Sequence, residues 1–93
     1  MEILGKLYGV EAVKTGISQY SGKQWQSQNF ELKITNRGKE MIVPMSAWGN
    51  TVDQLANIQI GTLVKVYFDI RGEEYQGKRY VRLESSFIER ADI

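Results

Sequence analysis

From Val64 to Arg71, in a stretch that begins at Leu63, apolar and polar side chains alternate without a break, with Val64, Val66, Phe68 and Ile70 set against Lys65, Tyr67, Asp69 and Arg71. A period of two puts successive side chains on opposite faces of a strand, whereas on a helix the same residues would spread around the axis. The stretch therefore predicts a strand with the first set in a core and the second in water. Beyond it, "RGEEYQGKRYVRLE" turns at Gly77 into a further strand over about Arg79 to Glu89, with Val81 and Leu83 expected inward.

Three more segments read as strands. The first covers about Glu2 to Lys14, with Ile3, Leu7 and Val10 as inward candidates, and its parity slips after Leu7 beside Gly5 and Gly9. A slip of that kind predicts a bulge, and a bent first strand that serves two sheets. The polar stretch "TGISQYSGKQ", Thr15 to Gln24, reads as a loop. It leads to a second strand over about Trp25 to Thr35, with Phe30, Leu32 and Ile34 on one face and Trp25, Ser27, Asn29, Glu31 and Lys33 on the other. After the turn "NRGKE", the segment Met41 to Trp48 sets Met41, Val43, Met45 and Ala47 against Ile42, Pro44, Ser46 and Trp48. Pro44 cannot donate to a ladder, which suits an edge or a bulge. "TVDQLANI" then predicts one or two helical turns, with Thr51 as N-cap and Val52, Leu55, Ala56 and Ile58 as the apolar stripe.

Ninety-three residues, 42% of them hydrophobic, are expected to form a single domain over 1–93 with one core and little material for a buried catalytic cavity. The chain has neither Cys nor His, which removes thiol nucleophiles, imidazole acid/base chemistry, disulfides and the usual zinc ligands. The reading is of a protein that is not an enzyme and takes no cofactor or metal. No apolar run approaches the roughly 20 residues that span a bilayer, and "MEILGKLYGV" has an acid where a signal peptide carries a base, so a cytoplasmic protein with no membrane partner is expected. Twelve Lys and Arg against eleven acids leave a net charge of +1, so attraction to a polyanion depends on where the cations sit.

Strand, strand, strand, short helix, strand, strand is the element order of the OB-fold, an all-β, five-stranded Greek-key barrel. An SH3-like barrel is the rival, but it normally lacks this helix. The segment "MIVPMSAWGNTVDQLANIQIGTLVKVYFDIRGEEYQGKRY" resembles the strand, aromatic-Gly step, helix, "GxxVxV" and hairpin portion of bacterial single-stranded DNA-binding proteins, over about half of the chain. From "MEILGKL" through "AWGNTVDQL" to "GEEYQGKRY", the whole length is also similar to a family of small bacterial proteins known only as an OB-like domain of unknown function. The first resemblance implies that Trp48, in the Trp48–Gly49 step, stacks on a base, and that Tyr75 occupies a loop where the DNA-binding family often carries another stacking ring. It implies oligomers as well, since that family commonly forms dimers or tetramers. Two departures stand out: Ile42 replaces a common aromatic, and the chain ends at "ERADI" where many such proteins carry an acidic tail that recruits replication partners.

Single strands expose flat bases and a row of phosphates, so a sequence-tolerant binder needs aromatic faces and cations along the path. The stacking candidates are Trp25, Trp48, Tyr75 and Tyr80, and the phosphate candidates are Lys23, Lys33, Arg37, Lys39, Lys65, Arg71, Lys78, Arg79 and Arg82. On an OB-fold, Trp25, Asn29, Lys33 and Trp48 would line the binding face while Lys23, Tyr75, Lys78 and Arg79 flank it. The expected function is binding of single-stranded DNA, or of RNA, with little sequence preference, in replication, recombination or repair. Plainer roles compete at every position. Trp25 can cover an apolar edge or fill a subunit contact, Trp48 can cap the barrel, Tyr75 and Tyr80 can be cross-strand partners, and the cations can be solvated or paired. Glu73–Glu74 opposes a phosphate path. The alternative is a protein-interaction or oligomerisation module in which Trp25, Ile42, Pro44 and Trp48 meet a second subunit. A sugar-binding OB-fold is a third option.

Overall fold

The first strand, β1 (Glu2–Val10), serves two neighbours in the computed structural model, which describes residues 1–91. Asp92 and Ile93, the end of "ERADI" and of the domain expected over 1–93, lie outside the described residues. Glu2 to Lys6 pair antiparallel with β5 (Leu63–Tyr75), and Lys6 to Val10 with β3 (Gln24–Asn36). The register shifts between Leu7 and Gly9, where the sequence's parity slips. This bulge bends the strand from one partner to the next.

The remaining elements are β2 (Lys14–Ile17), β4 (Lys39–Trp48), the helix α1 (Asn50–Ala56) and β6 (Lys78–Arg90). β3 and β4 form one antiparallel hairpin and β5 and β6 another. A short parallel contact, Ser46 opposite Glu84 and Ala47 opposite Ser85, joins β4 to β6. Five of the six strands thus close into a hydrogen-bonded ring, β1-β5-β6-β4-β3 and back to β1, with β2 added outside on β3. Leu7, Phe30, Leu32, Met45, Ala47, Val64, Val66 and Ile88 fill the ring, and Val52 and Leu55 of α1 close one end. The helix is also fastened to β6: Thr51 Oγ1 donates to the Ser86 carbonyl at 3.3 Å, and the Ile88 N–H donates to Gln54 Oε1 at 2.9 Å.

Several expectations are corrected. Six strands stand where five were expected, because Lys14–Ile17, inside what reads as a strand end and a polar loop, pairs with Gln24 to Ser27. Backbone pairing needs a partner edge, not an apolar pattern, and β3 supplies the edge. Val10, Ile70 and Val81 are exposed, not inward. Val10 follows the bulge, while Ile70 and Val81 stand on a part of the β5–β6 hairpin that runs past the ring. Met41 likewise lies near the turn, beyond the core. Thr51 is not the N-cap: Gly49 precedes the helix without a side-chain cap, and Thr51 is buried within it. Ala56 is exposed and leaves Val52 and Leu55 as the helix's buried apolar stripe.

Candidate nucleic-acid interface

The outward side chains of β3 and β4 form rows fixed by the ladder: Ser27 beside Trp48, Asn29 beside Ser46, Glu31 beside Pro44, Lys33 beside Ile42. β2 extends the first of them, with Lys14 next to Ser27, and sets Gly16 next to Trp25 in the row before it. The two indoles stand one row apart on this face, with ring centroids 5.8 Å apart and planes tilted by 42°. Trp25 lies over Gly16 so closely that a Cβ there would come within 2.5 Å of the ring. Both indoles keep about two-fifths of their surface, 39% for Trp25 and 42% for Trp48. The turn after Trp48 is pinned from β3: the Gln26 amide donates to the Gly49 carbonyl at 2.8 Å and to Asp53 Oδ1 at 3.1 Å.

Beyond Ser46 and Glu84 no ladder joins β4 to β6, and a groove of about 680 Å³ opens between Pro44–Ser46 and Tyr80–Leu83. Phe30 and Met45 belong to its lining, and Trp48 and Tyr80 contribute rings. Its charged groups are Glu11, Glu31 and Glu73 against Lys14 and Arg82. Arg82 is engaged by Glu73 at 3.4 Å. A second, smaller hollow of about 550 Å³ lies over Trp25, Trp48, Gly49 and Asn50. Away from the groove, the Tyr67 hydroxyl donates to Glu89 at 3.1 Å, and this hydrogen bond raises the phenol's pKa above its ordinary value.

Of the residues predicted from sequence, Trp48, Tyr80 and Arg82 meet in the groove, and Trp25 joins them through Trp48. Tyr75 and Lys78 sit opposite each other at the end of the β5–β6 arm, with Arg79 next to them, all exposed and outside the groove lining. Lys23 is exposed at the end of the β2–β3 connection. Lys33 is held by Glu40 at 3.1 Å and faces Ile42, away from the groove. Arg71 is likewise paired, to Glu84 at 3.1 Å. Sequence reasoning missed Lys14, which only the β2 pairing brings beside Ser27, in the row that ends at Trp48, and the fully exposed Tyr20 in the β2–β3 connection. An aromatic ring inside a polar loop, "SQYSGK", was the available signal for Tyr20.

Among the described residues no cluster of acidic side chains is arranged to hold a metal ion, and no helix is long and apolar enough to cross a membrane. No curated protein matches the chain. Among solved structures, the chain is similar to a mitochondrial single-stranded DNA-binding protein from S. cerevisiae, with a TM-score of 0.62, 16% identity, and coverage of 98% of this chain and 92% of that one. It is also similar to the protein PriB from Ralstonia solanacearum, with a TM-score of 0.58, 12% identity, and coverage of 98% and 95%. A small single-stranded DNA-binding protein from Streptomyces coelicolor gives a TM-score of 0.54 at 8% identity, with coverage of 99% and 93%. At these identities the likeness is one of fold. The family described as "Domain of unknown function (DUF3127)" matches residues 2–86. The chain therefore belongs to the DUF3127 family, with a fold shared over nearly its full length by single-stranded DNA-binding proteins and PriB.

Proposed function

We propose that the ring of strands is an OB barrel whose β3–β4 face binds single-stranded nucleic acid, DNA in the first instance. The observation that carries this reading is the set of partly bare rings on one continuous surface: Trp25 and Trp48 on the face, and Tyr80 on the adjoining wall of the groove. Stacking is worth about 1–3 kcal/mol per base and accepts any base. Two engaged rings therefore supply about 2–6 kcal/mol, which with a few phosphate contacts reaches micromolar affinity. Lys23, Lys78 and Arg79, exposed and without an ion-pair partner among the described residues, are the phosphate contacts of this reading, and Lys14 stands inside the groove. The fold relatives named as single-stranded DNA-binding proteins support the reading. An assembly of several copies, with roles in replication, recombination or repair, belongs to the same proposal.

A protein-interaction module is favoured by a different observation: three carboxylates, Glu11, Glu31 and Glu73, line the groove of a chain with a net charge of only +1. Anisotropy of labelled oligonucleotides at low salt separates the two. On the first reading, Trp48→Ala weakens binding about 5- to 150-fold, one stacked base's worth. Absence of binding to any oligonucleotide selects the second, and an unchanged affinity in a Trp25→Ala, Trp48→Ala double variant overturns the assignment of binding to this face.

A further inference from the structure

We propose that Glu31 makes the groove selective among bases, so that cytosine, adenine and guanine are preferred to thymine and uracil; this rests on the nucleic-acid reading. Of the groove's carboxylates, Glu73 is engaged by Arg82. Glu31 has no ion-pair partner among the described residues. It stands on the regular part of β3, between Asn29 and Lys33, and its cross-strand neighbours are Pro44, which has no N–H, and Gly9, which has no side chain to pair with it. Its Oε1 lies across the backbone of β1, 3.4 Å from where a Cβ on Gly9 would sit, so the carboxylate rests on the sheet.

An ionised carboxylate only accepts hydrogen bonds, and it repels a phosphate brought near it. A strand lying in this groove therefore turns its bases toward β3 and its phosphates toward the rim. Glu31 then meets base edges. Cytosine N4, adenine N6 and guanine N2 carry amino groups that donate to a carboxylate, as cytosine N4 does to Glu in other nucleic-acid contacts. Thymine and uracil instead present two carbonyl oxygens flanking a single N–H, and those oxygens are repelled. The stacking rings Trp48 and Tyr80 accept every base, so discrimination falls to the polar lining.

The test compares oligo-dC with oligo-dT, each of about ten nucleotides, within the span that one OB fold covers. At neutral pH and low salt the wild-type chain is expected to bind oligo-dC about tenfold more tightly, the low end of what one base contact discriminates. Glu31→Gln should bring the ratio close to one while oligo-dT binding is kept or strengthened. The ratio is internal to each variant, so the general effect of deleting a negative charge cancels. Equal affinities in the wild type overturn the selectivity and leave the nucleic-acid reading standing. A ratio that survives Glu31→Gln overturns the assignment to this residue, and no binding to either oligonucleotide overturns both readings.

Discussion

Gly16 decides where the Trp25 indole lies. The ring covers the backbone of β2 at the one position where no Cβ stands in the way, and Cζ2 would be 2.5 Å from a Cβ there. One face of the indole is thereby occupied, and its remaining surface is what a base can reach. Gly16→Ala forces the ring toward solvent. Since the ring is already 39% exposed it has room to move, and the stability loss is expected at the low end of overpacking, about 1 kcal/mol. The larger effect is spectroscopic. In a Trp48→Phe background, where Trp25 is the sole reporter, Gly16→Ala should shift emission to longer wavelength and weaken oligonucleotide binding. Unchanged emission would mean that the indole does not rest on β2. The outward direction of Trp25 was legible from alternation with Phe30, Leu32 and Ile34. Its contact with Gly16 was not, because the sequence does not show which residues face each other across a ladder.

The β5–β6 hairpin shows where alternation stops being informative. Phe68 and Leu83 pack on the core, yet Ile70 and Val81, continuing the same faces, are 53% and 72% exposed. Alternation says which side chains share a face, but not whether anything lies against it. Past Ser46 and Glu84, β6 has left β4, so the outer hairpin pairs only with itself. Its integrity then depends on cross-strand pairs, on the ion pairs Arg71–Glu84 and Arg82–Glu73, and on its turn. Gln76 and Gly77 have φ of 52° and 76°, the left-handed pair that a two-residue hairpin turn requires. Gln is a poor occupant of that region and Asn a better one. Gln76→Asn is expected to stabilise the arm by up to about 1 kcal/mol, the scale of a left-handed residue's strain. The gain should appear as slower amide exchange over Gly72 to Arg82, with the global unfolding midpoint unchanged. A midpoint that rises by the same amount would make the arm part of the cooperative core.

For the whole molecule, the order of the five ring strands was readable because each carries a local signal, whereas β2 carries none and the closure of the ring rests on two small polar residues that carry none either. Ser85 is 4% exposed, and its hydroxyl donates to the Ser46 carbonyl at 2.7 Å; Ser46 donates in turn to the Leu83 carbonyl at 3.3 Å. Ser85→Ala strands a buried acceptor and should lower stability by about 1–3 kcal/mol, measured by urea unfolding. Charge gives the other prediction at this scale. With a net +1, binding cannot draw on a general positive field, and Lys33, Arg71 and Arg82 are already held by carboxylates. Of the cations this reading uses, Lys14, Lys23, Lys78 and Arg79 remain to displace counterions. Each phosphate neutralised on a single strand contributes about −0.7 to the slope of log K against log salt, so about four contacts predict a slope near −3. A slope near −5 would bring in about three further cations, either the paired ones leaving their carboxylates or ones unpaired among the described residues, such as Arg37, Lys39 and Lys65. A slope near zero would mean that phosphates go untouched, and the rings alone would then have to hold the strand.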